Sequence, residues 1–290
     1  MANLKKRNYP IYFLIPGITL FFLLFLVPFF MSVRYSFTNW DFKRSDFVGF
    51  KNYINIIKDP NINIAFKNTF IFTVVTTFFK MILGLCLAIF LNNKLKMTKF
   101  LRTTFFLPAV INTIAVGIVF KALMHPSKGL INKILITIGL ESLTQNWLTD
   151  TNIAIFSVCG VEVWKWTGYT MIIFLAGLQM ISSDYYEAAE IDGANGWQKF
   201  RYITFPLIRP SFNNSLILSI IGGIKVFDIV LATTGGGPGS TTQVFNSVIF
   251  RSFSYNMQGE ASAGTVVLAI IVLIITLCTY SQIVKKEVEV

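Results

Sequence analysis

Six stretches of this chain, roughly residues 11–31, 68–91, 104–124, 153–181, 211–232 and 262–284, are apolar over the length a helix needs to cross a lipid bilayer. That length is about 20 residues, set by a hydrocarbon core about 30 Å thick. Inside hydrocarbon no water is present to satisfy backbone N–H and C=O groups, so each spanning segment must bond its own backbone as a helix. The expected fold is therefore an all-α integral membrane protein with six transmembrane helices in one domain, residues 1–290. The fourth run is the longest, which implies a tilted or protruding helix. Composition agrees, since 13% of residues are charged, about half the share of a soluble protein.

The first run follows Lys5, Lys6 and Arg7, as in a signal peptide. It is longer than a signal-peptide core and lacks a small-residue cleavage site, so it reads as a retained span. Six spans place both termini on one side. With the N-terminus inside, segments 1–10, 92–103, 182–210 and 285–290 hold twelve basic residues in about 57 positions. The loops 32–67, 125–152 and 233–261 hold nine in about 93. The excess of Lys and Arg on cytoplasmic loops favours cytoplasmic termini, and Lys94, Lys96, Lys99 and Arg102 contribute most. The six basic residues of loop 32–67 count against this orientation, but that loop is long and carries three acids. The net charge of +11 has the same origin. It forms no basic stripe with interleaved aromatics, so nucleic acid is not an expected partner. Cys86, Cys159 and Cys278 all fall in apolar runs and form neither a disulfide framework nor a metal spacing.

In this orientation the longest cytoplasmic segment is 182–210, "SSDYYEAAEIDGANGWQKFRYITFPLIRP". Asp184, Glu187, Glu190 and Asp192 put four of the fourteen acids within nine positions. Asp184 and Glu187 have capping-box spacing, so a helix over about 185–192 is expected. Gly193 stands where a helix terminates in the left-handed conformation. A second short helix, about 196–204, should end before Pro206, and Pro206 and Pro210 then steer the chain into the fifth span. Ala188 and Ala189 leave one face without bulk, and Trp197 and Phe200 supply an apolar anchor. Such a knuckle suits docking into another protein, although an amphipathic helix lying on the membrane has the same pattern.

The spacing E-A-A-x2-D-G-A-x5-F-x2-I-x2-P-x3-P, met here by Glu187-Ala188-Ala189, Asp192-Gly193-Ala194, Phe200, Ile203, Pro206 and Pro210, resembles the cytoplasmic signature of permease subunits of binding-protein-dependent ABC importers. "RTTFFLPAVI", "WKWTGYTMIIFLAGLQMIS" and "VFDIVLATTGGGPGSTT" resemble the maltose and glycerol-3-phosphate type, and the likeness covers nearly the whole chain. It implies a bacterial plasma-membrane permease, closest in form to the shorter first permease of such systems. Its function would be alternating-access import of a sugar, in the first place a di- or oligosaccharide. Glycerol-3-phosphate or an anionic sugar is the alternative. The implied partners are a second homologous permease, an ATP-binding-cassette ATPase dimer and an extracellular sugar-binding protein. The implied ATPase-coupling residues are Glu187, Ala188, Ala189, Asp192, Gly193 and Ala194. The chain has no G-x-x-x-x-G-K-[ST] phosphate loop, so ATP and Mg²⁺ belong to the partner and no cofactor is expected here. "TTGGGPGS", residues 233–240, lacks the lysine and reads as a tight turn on the outer side; a role facing the external binding protein is the other reading.

Ionisable residues inside spans cost about 2.5–3.5 kcal/mol each on insertion scales and mark functional positions. They are Lys80, Lys121, Glu162, Lys165, Lys225 and Asp228. Lys121 is near a span end and can snorkel; Lys80 lacks an evident partner. Glu162 with Lys165, and Lys225 with Asp228, are three apart. Either they form intrahelical ion pairs or they line a polar path. Trp166 and Tyr169, also three apart, offer flat faces to sugar C–H groups and N–H and O–H groups to hydroxyls, with Gly168 between them. Gly222 and Gly223 either open space for a ligand or let helices pack closely. In the resembling permeases the sugar lies mid-membrane against the fourth and fifth spans. The matching positions are Lys165, Trp166, Tyr169, Ser219, Gly222, Gly223 and Val226, which Lys225 and Asp228 extend. No catalytic or metal-binding constellation is present: His125 is the sole histidine. An ATPase-independent secondary transporter is the rival class, and no internal repeat supports it.

Overall fold

The computed structural model describes residues 11–93 and 97–283. Lys5–Arg7, Lys94, Lys96 and residues 285–290, on which much of the orientation argument rests, lie outside them. The described chain is helical, with one isolated bridge, Thr38 to Phe47. In chain order the helices used below are α1 (Tyr12–Tyr35), α2 (Lys51–Lys58), α3 (Ile62–Asn92), α4 (Thr98–Val110), α5 (Thr113–Leu123), α6 (Leu130–Thr137), α7 (Ala154–Gln179), α8 (Ser183–Ile191), α9 (Gly196–Lys199), α10 (Arg209–Ile224), α11 (Asp228–Thr233), α12 (Phe245–Ser254) and α13 (Gln258–Ile283).

The chain forms two compact units: the part up to Asp59 with Ile249–Val267, and Pro60–Val248 with the part from Leu268 on. In the first unit, buried Asn52 donates from its amide to the carbonyls of Ser36 (2.8 Å) and Thr38 (2.7 Å). The Tyr35 and Trp40 rings stack with centroids 4.0 Å apart. Arg251 pairs with Asp59, and Gly259 N–H donates to the Trp40 carbonyl at 3.0 Å.

The second unit is built on α3 and α7, with α10 packed beside them. Burial from water cannot drive helix association within lipid, so close packing must. Small residues sit at the crossings. A Cβ on Gly84 would stand 2.7 Å from a Thr170 methyl, and one on Gly177 would meet the Ser211 hydroxyl. Phe72, Val158, Val161 and Ile229 fill one core, and Met81, Leu91, Met171 and Phe174 the other.

Among the described residues three helices, α1, α3 and α13, are long and apolar enough to cross a membrane unaided. Two of the expected straight spans are broken. The third run is the pair α4 and α5, bent by 96° at Ile111–Asn112. Pro108 precedes the bend, and the Asn112 side chain caps α5 by accepting from the N–H groups of Ile114 (2.9 Å) and Ala115 (3.3 Å). The fifth run stops at Ile224 and resumes at Asp228 as α11. Phe227, at φ −155° and ψ −62°, lies outside helical geometry. The freed carbonyls of Lys225 and Val226 accept from the Asn246 amide at 2.8 and 3.4 Å. The second halves of both broken runs, α5 and α11, pack on each other.

The cytoplasmic-type knuckle forms with two corrections. Helix α8 begins two residues earlier than the Asp184–Glu187 box requires: its cap is Ser182, whose hydroxyl accepts from Asp184 N–H at 3.3 Å. The capping box sits instead at Asn195 and Gln198, each accepting from the other's backbone N–H, at 2.9 and 2.8 Å. After α9 the helix does not end before Pro206. It widens through a π-helical turn, Phe200–Thr204, and continues over Phe205–Leu207. Pro206 directly follows this wider turn, where the Phe205 N–H reaches back five residues to the Phe200 carbonyl.

Candidate functional site

The broken runs border a cavity of about 380 Å³. Helix α3 contributes Lys80; α7 contributes Glu162, Trp166, Tyr169 and Thr170. Helix α10 contributes Ser215, Leu218, Ser219 and Gly222, the break beyond it Lys225, Val226 and Phe227, the start of α11 Asp228 and Ile229, and the start of α5 Thr113. Non-helical backbone at membrane depth is tolerated where it is buried in protein or lines a cavity; the break at Lys225–Phe227 lines this one, whereas at the other break Thr113 lines it and Ile111 and Asn112 are exposed. The Trp166 and Tyr169 rings meet edge to face, centroids 5.9 Å apart.

Most of the expected path residues come together here: Trp166, Tyr169, Ser219, Gly222, Lys225, Val226 and Asp228 all line the cavity. Lys165 and Gly223 do not. Lys165 is 1% exposed and its ammonium donates to the carbonyls of Ile111 (2.6 Å), Ala109 (3.2 Å) and Pro108 (3.3 Å). These are carbonyls released at the C-terminal end of α4, where a helix carries partial negative charge. The same ammonium lies 4.7 Å from the Trp166 ring centroid. Lys165 thus fastens the bend in the third run and braces the ring that faces the cavity. Gly223 serves helix packing, since a Cβ there would stand 2.8 Å from Thr73 Cα; Gly222 faces open space. Gly168 also belongs to packing, because a Cβ would run into the Phe105 carbonyl of α4.

Neither expected intrahelical ion pair forms. Among the described residues the ion pairs within 4.0 Å are Lys199–Glu190 and Arg251–Asp59. Lys165 has turned to carbonyls. Lys225 and Asp228 are separated by the break, each at a favourable helix end: a cation past the C-terminus of α10 and an acid in the first turn of α11. Lys80, which lacked a partner in the sequence, faces the same cavity as Glu162, and their charges attract. Glu162 also lies beside the Trp166 side chain and within electrostatic reach of Asp228. Lys80 and Glu162 are 4% and 7% exposed, and the buried Ser215 hydroxyl has no hydrogen-bond partner.

Lys80, Thr113, Glu162, Thr170 and Ser215 are the polar cavity residues that a motif-based reading leaves out, with apolar Leu218, Phe227 and Ile229 beside them. The charges of Lys80 and Glu162 were the available signal. A larger groove, about 700 Å³, runs between α3, α10 and α13. Its wall is almost wholly apolar, for example Phe70, Phe78, Leu216 and Ile271, so it lacks polar groups to orient a hydrated ligand.

The knuckle presents a second surface. Gly193 has φ +75°, and Ala194 N–H closes the turn onto the Ala189 carbonyl at 2.8 Å. Glu187, Ala188, Asp192 and Gly193 are exposed, while Ala189 and Ala194 are half-buried. Ile191 is 88% exposed, with Trp197 and Tyr202 also open. The Lys199 ammonium donates to Glu190 at 2.8 Å across the bend, and this bond, with the attraction behind it, holds the Glu190 carboxyl below its ordinary range. At the base Tyr186 and Thr204 share a hydrogen bond of 3.0 Å. The glycine turn of residues 233–240 is a compact loop: Gly235, Gly236 and Gly239 have positive φ, and the hydroxyls of Thr234 and Thr242 meet at 2.7 Å.

The profile of a family described as "Binding-protein-dependent transport system inner membrane component" matches residues 80–286. A probable ABC transporter permease protein, YurN, of Bacillus subtilis (strain 168) is 36% identical over 96% of this chain and 94% of its own length. A probable starch degradation products transport system permease protein, AmyD, of Thermoanaerobacterium thermosulfurigenes is 32% identical over 96% and 94%. Among solved structures, a bacterial ABC transporter involved in the import of the acidic polysaccharide alginate contains a chain that superposes with a TM-score of 0.83, over 97% of this chain and 96% of that one. The two are 24% identical, a likeness of fold.

Proposed function

Because the chain belongs to the family of binding-protein-dependent transport system inner membrane components, we propose that it is the translocating subunit of an ATP-driven sugar importer. An external binding protein delivers the sugar, in the first place a di- or oligosaccharide, and the permease passes it by alternating access. The chain itself performs no covalent chemistry. ATP and Mg²⁺ are bound by an ATPase dimer on the cytoplasmic side, which takes the knuckle formed by Glu187, Ala188, Ala189, Asp192, Gly193 and Ala194. A second, homologous permease completes the pathway across the bacterial plasma membrane, and both termini face the cytoplasm.

The observation that carries the reading is the cavity between the broken runs. It combines the aromatic pair Trp166–Tyr169 with the hydroxyls of Ser215, Ser219 and Thr113, an arrangement suited to a ring with apolar C–H faces and polar rims. The relative that handles starch degradation products supports a saccharide ligand. Helix breaks beside the cavity give segments that can change angle without unfolding a span.

The test is uptake into ATP-loaded proteoliposomes that contain this chain, its partner permease and the ATPase, with the binding protein outside. Saccharide uptake should require ATP and cease when the ATPase is made inactive. Uptake that survives that change and collapses with an ionophore would establish the secondary-transporter alternative.

A further inference from the structure

The chain commits four ionisable side chains to one cavity wall, two of each sign: Lys80 and Lys225, Glu162 and Asp228. Lys165 is not among them, because its ammonium is used up on three carbonyls. Among the described residues none of the four makes an ion pair within 4.0 Å. Lys80 and Glu162 are nevertheless almost wholly buried. A buried charge needs a close partner or hydrogen bonds, and the attraction between Lys80 and Glu162 across the cavity meets that need only in part.

Ligand classes differ in what they leave behind in such a site. A neutral sugar gives none of the four a counter-charge. An anionic sugar satisfies the lysines and sets its own charge against Glu162 and Asp228. A cationic amino sugar does the reverse. A ligand with one basic and one acidic group gives both signs a partner, while its ring lies on Trp166 and its hydroxyls reach Ser215, whose buried oxygen is otherwise unpaired. From these positions we infer that the cavity takes a hydroxylated, sugar-like ligand that is dipolar, carrying an amine and a carboxylate. The amine turns to Glu162 and Asp228 and the carboxylate to Lys80 and Lys225. The inference rests on the sugar-importer reading and narrows it.

Four probes that differ only in charge test it: glucose, glucosamine, glucuronic acid and 2-amino-2-deoxyglucuronic acid, with maltotriose as a neutral oligosaccharide. Each is offered, radiolabelled, to the complete importer in ATP-loaded proteoliposomes. The expected result is uptake of the amino uronic acid at least tenfold faster than any other probe. Glu162→Gln should cut that rate at least tenfold and bring glucuronic acid level with it, and Lys80→Gln should do the same for glucosamine. Should either buried variant fail to assemble, Asp228→Asn and Lys225→Gln at the open side of the cavity give the same comparison. ATP-dependent uptake of glucose or maltotriose that equals the amino uronic acid, and is unchanged in these variants, overturns the dipolar ligand and leaves the importer reading intact. ATP-dependent uptake of none of the five overturns both.

Discussion

The cavity and the knuckle of residues 182–210 are built by opposite means. In the knuckle the bonds that shape the bend are short-range in sequence, Ser182 to Asp184, Asn195 to Gln198 and Glu190 to Lys199, and the bond at its base, Tyr186 to Thr204, spans 18 positions. Its surface is exposed and its shape is set by one glycine with positive φ. The cavity is assembled from distant parts. Lys165 reaches carbonyls 54 to 57 positions away, and Lys80 faces a carboxylate on another helix. A locally built surface can be presented to a partner without reference to the rest of the fold, whereas a cavity of this kind exists only when the spans are together.

Substitutions should therefore cost most at the cavity's fastenings and least on the knuckle's rim. The largest effect is expected for Lys165→Met, which strands the carbonyls of Ala109 and Ile111 and leaves that of Pro108 with the Ile111 N–H alone. An orphaned buried acceptor costs about 1–3 kcal/mol, so the variant should melt well below the parent in detergent and lose assembled complex. A melting curve equal to the parent's would remove Lys165 from its role at the bend. Next comes Gly223→Leu, which forces a side chain onto the α3 backbone. Overpacking of this kind costs about 1–3 kcal/mol, while Gly222→Ala, facing open space, should leave melting unchanged and alter only ligand uptake. Equal melting of the two glycine variants would contradict the division between packing and cavity.

Gly193→Val should cost less in stability, about 1–2 kcal/mol for a left-handed non-glycine residue, and more in function. The protein inserts, but ATP hydrolysis by the partner no longer drives transport. Normal transport by that variant would exclude the knuckle from coupling.

The smallest effect is expected for Glu190→Gln, because its ion pair with Lys199 is exposed and screened by water and salt. The sign of its pH dependence is fixed. The folded carboxyl titrates below its ordinary value, so its contribution is present above about pH 4.3 and is lost as pH falls through the lower folded value. Added salt should therefore narrow the gap between the two proteins, and a melting temperature for the parent that rises with salt by more than that of Glu190→Gln would run against this.

The contrast also explains what could be read from the chain. Apolarity belongs to single residues, so the long apolar helices α1, α3 and α13 and the bent pair α4–α5 were visible from their runs. The knuckle was visible because its bonds are local, and even there the wrong acid was assigned to the cap: Ser182, nearer to the helix start, outcompeted Asp184. The bend in the third run had a legible sign in Pro108 followed by Asn112, a residue suited to cap a new helix. The break after Ile224 had a weak sign in Gly222 and Gly223, which also suit a packed or ligand-facing helix. Its other sign was electrostatic, a lysine and an aspartate where an unbroken span would hide both, and spacing alone left open whether they pair within one helix or line a polar path. The distinction between Gly222 and Gly223 was not legible, since it depends on which one faces Thr73 of α3.

The Lys165 ammonium carries a consequence for how the protein is made. Its three carbonyl acceptors lie earlier in the chain, so they are synthesised before it. When α7 leaves the ribosome, the bend that neutralises its lysine is already in or near the membrane, and the charge need not wait in lipid without a partner. A permuted chain that delivered α7 before α4 would reverse that order and expose a bare ammonium to hydrocarbon, at a cost of about 2.5–3.5 kcal/mol on insertion scales. In this protein the order of the spans along the sequence is itself part of what allows a charge to be buried at a helix break.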